Sequence, residues 1–417
     1  MENKKNLFLK LTAVLILVVM MFSLSSCGLN LSFYDNMFGE SNNQNGDGGN
    51  DGDDHDGDLG NSNIGEGNFG GFYPNSGNES IDGVNDASKT LLSTVTIVSE
   101  FGTTAAAGSG VFYMVDKVNG DAYIITNHHV VYAENYGLAS KISIYLYGME
   151  FAGYAMAATF VGGSVNYDIA VLKITDNDVI RNSYATAAVI ADSDKVRVFD
   201  KVYAIGNAEG DGMSATQGII SVESETLQLT GADGSLISLR VMRFDAAVNH
   251  GNSGGGLYNE KGQLIGIVSA KDVSSDVDNM GYAIPSDLVK KLADNIIDHC
   301  DGTDVTQVNK ALMGITITAN ISGLRIDDET GNVYQVELVE VVEVSESSLA
   351  VGKVLAGDIV NYIVVDGVKR DVTRMHHVTD FMLNARVGST VVLNITRGET
   401  TLDVIFVITP EAITLVK

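Results

Sequence analysis

Short runs of β-branched and aromatic residues, broken by Gly, Asn and Asp, fill the middle of the chain. They lie at 94–98, 108–114, 122–126, 142–147, 169–174, 196–198, 201–205, 218–222, 236–244 and 263–270. Each suits a strand and is too short for a typical helix. No long amphipathic helix pattern separates them, which predicts antiparallel barrels or a sandwich rather than a parallel α/β sheet. The period then changes. Ser286 reads as a helix cap, and Leu288, Val289, Leu292 and Ile296 form one apolar stripe running to about Asp298. A polar break at 301–309 follows. Beyond it the pattern predicts strands at 312–317, 333–342, 359–365, 390–396 and 404–408. A helix expected from about Val372 to Ala385 places Val378, Phe381, Met382 and Ala385 on one face. This last stretch is long enough for one small mixed β and α domain.

The two ends of the hydropathy pattern differ sharply. Lys4, Lys5 and Lys10 precede an apolar run from Ala13 to Phe22, and Leu24-Ser25-Ser26-Cys27 follows. A basic start, a short apolar core and small residues before a cut site describe an export signal. The run is short for a membrane span. The next stretch, rich in Asn, Asp and Gly, has almost nothing to bury and predicts a solvated tether. Its Asp/Gly alternation fits no EF-hand register, so no calcium site is assigned.

Charge adds one exclusion. The formal net charge is -27 over 417 residues, which argues against a nucleic-acid partner. The segment from Gly28 to Ser88 holds 12 Asp and Glu and no Lys or Arg, so much of the acidity belongs to the tether. There are two cysteines, Cys27 and Cys300, too few for a disulfide framework. Cys300 beside His299 has no companion Cys or His group at metal-ligand spacing, so no metal or other cofactor is expected.

Three motifs carry chemistry: Thr126-Asn127-His128-His129-Val130-Val131, Asp168-Ile169-Ala170-Val171-Leu172-Lys173, and Gly251-Asn252-Ser253-Gly254-Gly255. Their order is His, Asp, then a Ser in a glycine-flanked loop, the chain order of the chymotrypsin-type triad. A serine hydroxyl needs an adjacent base to act as a nucleophile. An imidazole supplies it and later protonates the leaving amine. A buried carboxylate fixes the tautomer. Glycines around Ser253 permit a tight turn that brings the Gly251 and Ser253 amides together as oxyanion donors.

With Tyr203-Ala204-Ile205-Gly206-Asn207 and Gly281-Tyr282-Ala283-Ile284-Pro285, these motifs resemble the HtrA/Deg family of bacterial quality-control proteases. The resemblance implies an all-β double barrel of trypsin-like type at 89–300, followed by a small α+β PDZ-like domain at 309–410. It assigns catalysis to His129, with His128 as its neighbour, and to Asp168 and Ser253. Leu-Ser-Ser-Cys resembles the lipoprotein processing box. That implies a signal peptide at 1–26 and a lipidated Cys27 opening an acidic linker at 27–88, with the protein on the extracytoplasmic face of a bacterial membrane. Leu312-Met313-Gly314-Ile315 resembles the PDZ carboxylate-binding loop, and Gly357-Asp358-Ile359-Val360 the turn that follows it in the family. A peptide C-terminus would add a strand beside 315–317.

The chain departs from the family at two places. His250 and Gly256 stand where proline is usual, which predicts a softer loop and a zymogen-like resting state. Ala247, six before Ser253, occupies the position where trypsin-like enzymes cutting after basic residues carry an acid. A small apolar S1 pocket is therefore expected, with cleavage after small aliphatic residues. Exposed residues of that kind mark unfolded or misfolded proteins, the expected substrates. Family members are often homotrimers, and no residue here marks a trimer contact. The competing reading is a membrane-tethered peptide-binding sensor or scaffold with a weak or silent protease domain.

Overall fold

The structure is a computed structural model that describes residues 84–149, 154–269, 280–299, 308–328 and 330–417. The export signal, Cys27, the acidic tether through residue 83 and Cys300 lie outside the described residues. Among the described residues, no helix is long and apolar enough to cross a membrane.

A short helix α1 (Asp86–Ser93), capped by the Asn85 side chain on the Ser88 amide, leads into the first barrel. Its strands are β1 (Thr94–Phe101), β2 (Thr104–Asp116), β3 (Asp121–Thr126), β4 (Lys141–Leu146), β5 (Met156–Ser164) and β6 (Ile169–Ile174). They close antiparallel in the order β1-β2-β3-β6-β5-β4. The second barrel comprises β7 (Lys201–Gly206), β8 (Ser214–Thr230), β9 (Leu236–Phe244), β10 (Gly256–Asn259), β11 (Leu264–Val268) and β12 (Gly281–Pro285). Its closed order is β8-β9-β12-β11-β10-β7.

Period-2 alternation explains why the central strands read as unbroken apolar runs. Ile124 and Leu172 face the interior of the first barrel, while Ile125 and Val171 face the seam between the barrels. At the seam they meet Ile205, Leu239 and Ile284 of the second barrel, and Leu288, Val289, Leu292 and Ile296 of the helix at Ser286–His299. Both strand faces are thus buried, and the two barrels share one core.

The C-terminal domain holds β13 (Val308–Ala311), β14 (Ile315–Ile326), β15 (Val333–Val344), β16 (Ile359–Val365), β17 (Val368–Asp371), β18 (Thr390–Arg397), β19 (Thr400–Val407) and β20 (Ile413–Val416). Its sheet runs β14-β15-β16-β18-β19, with β17 on β16, so β14 is an edge strand. Val378, Phe381 and Met382 pack on Val341, Ile363, Leu393 and Phe406. Strands β13 and β20 pair separately. Asn295, fully buried in the Ser286–His299 helix, ties the domains together. Its amide group donates to the Asn309 and Leu383 carbonyls at 2.7 and 3.1 Å, and its oxygen accepts from the Asn309 amide at 3.0 Å.

The structure differs from the sequence pattern at several places. Residues 196–198 form no strand: they leave a 3-10 turn at Ser193–Lys195, and the Asp200 carboxylate takes the Arg197 amide at 2.8 Å. Such local side-chain bonds compete with strand pairing. Ser286 is the first helical residue, and its hydroxyl donates to the Ala191 carbonyl; the Ser193 hydroxyl receives the Asp287 amide instead. The helix expected from Val372 spans only His376–Phe381, followed by a 3-10 turn at Met382–Asn384. The backbone at 372–373 is already engaged, since the Val372 amide donates to Asn361 and the Thr373 carbonyl accepts from Glu337. Strand β5 was not marked by the pattern, because its Ala and Gly residues carry little strand propensity.

Candidate active site

Strand register brings the first two motifs together. In the antiparallel pair β3–β6, Thr126 lies opposite Ala170. The chain leaving β3 at Asn127 and the chain entering β6 from Asp168 therefore meet at one edge. His129 sits in a single helical turn, His128–Val131, that starts there. Its Nδ1 lies 2.8 Å from Asp168 Oδ2 and 3.0 Å from Oδ1, and its backbone amide donates to Oδ1 at 3.1 Å. Asp168 is buried, its carbonyl takes the Asn127 side-chain amide at 2.9 Å, and its φ of 49° is left-handed. Asp tolerates that region better than most residues. Ser269, just past β11, adds a hydroxyl bond to Asp168 Oδ2 at 3.3 Å.

Ser253 belongs to the loop from β9 to β10. Its carbonyl accepts from the Ser109 amide at 2.8 Å, and the Ser109 carbonyl accepts from the Thr126 hydroxyl at 2.7 Å. The serine loop is thus attached to the strand end that delivers His129. Glycine is required here for space as well as conformation. A Cβ on Gly254 (φ 84°) would stand 2.1 Å from the Ser109 carbonyl oxygen, and one on Gly251 (φ 90°) 2.1 Å from that of Asn207. Asn252, Gly254 and Gly255 direct their amides to the Asn249, Val268 and Asn252 carbonyls. Among the described residues none accepts from the Gly251 amide. That amide can serve an oxyanion.

The two positions without proline have separate explanations. The buried Tyr258 ring fills the space beside Gly256, where a Cβ would stand 2.3 Å from the Tyr258 Cε2. The Tyr258 hydroxyl lies 3.1 and 2.9 Å from those of Ser93 and Thr94, a link between the barrels. His250 is exposed, and its carbonyl accepts from the Glu209 amide at 2.7 Å. His128 is wholly buried, its ring 5.0 Å from Tyr132 and 6.3 Å from Phe160.

The remaining expected residues lie apart from this edge or only approach it. Ala247 is on the exposed chain leading to the serine loop, its carbonyl taking the Thr216 hydroxyl at 2.7 Å. In the C-terminal domain, Leu312 is exposed, Met313 is core, Gly314 is left-handed (φ 77°), and Ile315 opens the edge strand β14. Sequence reasoning missed Ser109 and Ser269 and gave Asn207 no site role, although its motif was marked; all three touch the site through polar bonds that no spacing rule announces.

Among the described residues, two further groups bring possible metal ligands together, and they share Asp194: one with Asp192 and Asp287, the other with His376 and His377. Asp194, His376 and His377 each bring a ligand atom within 4.8 Å of the others at the domain boundary. However, the Thr373 amide donates to His377 Nδ1 at 3.2 Å. The neutral ring then carries its proton on Nε2, the atom that faces Asp194, and offers no lone pair there. Arg370 is also paired with Asp194. The arrangement suits a proton-donating imidazole better than a metal ligand.

Residues 108–267 match the family model of the trypsin-like peptidase domain. Serine protease Do-like HtrA of Bacillus subtilis (strain 168) is 39% identical over 197 residues, 47% of this chain and 40% of that protein. Periplasmic pH-dependent serine endoprotease DegQ of Escherichia coli (strain K12) is 34% identical over 260 residues, 61% of this chain and 49% of that one. Among solved structures, the HtrA-type protease AlgW with tripeptide gives a TM-score of 0.52 at 25% identity, covering 78% of this chain and 96% of that one. The chain spans about half the length of the curated relatives it matches. Fold and site together define a trypsin-like serine peptidase domain. Within that class, the chain is similar to HtrA-type serine proteases.

Proposed function

We propose that this chain is a serine endopeptidase that cleaves unfolded or misfolded extracytoplasmic proteins. The observation that carries the reading is the buried Asp168 carboxylate on His129 Nδ1, at the strand edge to which the Ser253 loop is bonded. In the proposed reaction His129 takes the Ser253 hydroxyl proton as the Ser253 oxygen bonds to the scissile carbon. The carbonyl electrons move to oxygen, where the Gly251 and Ser253 amides stabilise them. His129 then protonates the leaving amine, and water completes the cycle by hydrolysing the acyl-enzyme. Ala247, with no acid at its position, favours cleavage after small aliphatic residues.

The same reading gives the C-terminal domain a peptide-binding role of PDZ type. Its support is an edge strand, β14, preceded by the left-handed Gly314, together with the AlgW likeness, which covers more of the chain than the two barrels supply. A peptide C-terminus would pair with β14 and set its carboxylate near Leu312 to Ile315. The lipid anchor at Cys27 and an extracytoplasmic location rest on the signal-like N-terminus and on periplasmic relatives such as DegQ.

The test is cleavage of an unfolded protein by wild type and by Ser253→Ala, with phosphonate labelling located by peptide mass analysis. Label on Ser253 and loss of several orders of magnitude in rate are expected. A label elsewhere, or an active Ser253→Ala protein, overturns the reading. A folded wild type that binds peptides without cleaving them would favour the tethered sensor instead.

A further inference from the structure

We infer that Ser109 is a positioning residue for the oxyanion hole, its hydroxyl holding the Gly251 peptide so that the Gly251 amide faces a scissile carbonyl bound at Ser253. This rests on the serine-endopeptidase reading and assigns a role to a residue of the opposite barrel.

Ser109 lies on β2 and is wholly buried. All of its polar groups are committed. Its amide donates to the Ser253 carbonyl at 2.8 Å, and its carbonyl accepts from the Thr126 hydroxyl at 2.7 Å. Its hydroxyl accepts from the Asn207 amide at 2.8 Å and lies 2.7 Å from the Gly251 carbonyl. A backbone amide can only donate and a carbonyl can only accept. The single hydroxyl proton is therefore directed to Gly251.

The bond fixes the carbonyl end of Gly251, while Glu209 fixes the peptide that carries its amide by donating to the His250 carbonyl at 2.7 Å. Between these two fixed points Gly251 is held at φ 90°, a conformation from which a glycine can otherwise swing readily. The anchor itself is rigid. The Asn207 side chain donates to Thr96 at 3.1 Å and accepts from the Gly212 amide at 2.8 Å. The loop has no proline on either side, so its conformation depends on tertiary bonds. Ser109 supplies two of them, to Gly251 and to Ser253.

The experiment uses the full chain with Ser109→Ala, and Ser109→Cys as a variant that keeps a weak donor. Each is measured on a short fluorogenic peptide and with a matching peptide boronate that forms a tetrahedral adduct on Ser253. The Ser109→Ala kcat should fall about 10- to 100-fold, less than the loss expected for deleting an oxyanion donor outright. KM should stay within about twofold, because ground-state binding does not use the hole. Boronate affinity should fall by the same factor as kcat/KM. Affinity for the uncleaved peptide, measured in a Ser253→Ala background, should not change. Ser109→Cys should fall between wild type and alanine, and it carries the test if the alanine protein fails to fold. An unchanged kcat in a folded variant overturns the proposal. So does a parallel loss of kcat and peptide affinity, which a merely loosened fold would give. Activity that survives Ser253→Ala, or a wild type that neither cleaves nor binds boronate, overturns the endopeptidase reading as well.

Discussion

At the scale of single residues, two adjacent histidines have opposite environments. His129 meets Asp168 at the strand edge, whereas His128 packs in the wall between Tyr132 and Phe160, and Gly163 leaves room for its ring. The two substitutions should therefore separate. His129→Ala should abolish turnover with little effect on folding. His128→Ala should cost about 2–4 kcal/mol of stability through the cavity it leaves, measured by denaturant unfolding, with the folded fraction still turning over. The sequence alone suggests that His128→Ala is mild for catalysis; burial adds a cost in stability. Asp168→Asn should lower kcat by about 10⁴, the size found in the reference serine-protease case, because an amide favours the wrong imidazole tautomer. Steady-state kinetics on a short peptide would decide it, and a loss under tenfold would remove Asp168 from the mechanism. Ser269 became visible only through its bond to Asp168, since a serine after an apolar strand gives no sequence signal.

At the scale of elements, the loop before β14 is held by a close approach at one glycine. Gly314 is left-handed, and a Cβ there would stand 2.0 Å from the Ser348 Cβ. Gly314→Ala should displace the loop and abolish peptide binding, read by titration with a labelled C-terminal peptide; full-strength binding would detach this loop from the proposed groove. The Gly357-Asp358 turn has a different basis. Buried Asp358 is held by Arg397 through Nε and Nη2, both at 2.7 Å, and it accepts the Leu355 amide at 2.8 Å. Arg397→Ala should lower the stability of the domain, by less than breaking a fully buried pair would, because solvent screens Arg397. Thermal unfolding would register that loss.

At the scale of the whole molecule, His376 and His377 lie where the C-terminal domain meets the second barrel. Burial lowers the His376 pKa to about 3, with Arg240 of β9, Arg374 and Arg370 adding to it against Asp380. Burial lowers His377 to about 2, with His376, Arg370, Arg240 and Arg374 adding to it. Facing them are Asp194, whose Oδ1 is 3.5 and 3.8 Å from their Nε2 atoms, and Asp287 and Lys291 of the Ser286–His299 helix. Releasing the domain would return both rings toward about 6.5. Docking is therefore indifferent to pH above that value and weakens as pH falls below it, since only the released state takes up protons. At pH 5.5 the two rings together would cost about 3 kcal/mol of docking. Small-angle scattering between pH 7.5 and 5 should show expansion, and a His376→Asn/His377→Asn protein should not respond. Equal profiles for the two proteins would discard the linkage.

Most of the central strands, the candidate triad residues and the glycine loop follow from local rules: period-2 burial, chemical type and conformational need. The apolar stripe of the Ser286–His299 helix was equally legible. What local rules could not reach were bonds between segments far apart in the chain. Residues 372–373 were claimed by strand contacts before a helix could begin there, Tyr258 took the space beside Gly256, and Ser109 reached Gly251 from the other barrel. The sequence determined which residues could do chemistry and which faces had to be buried. The tertiary structure decided which of them meet, because the pairing of strand ends and the filling of space depend on contacts that no single segment contains.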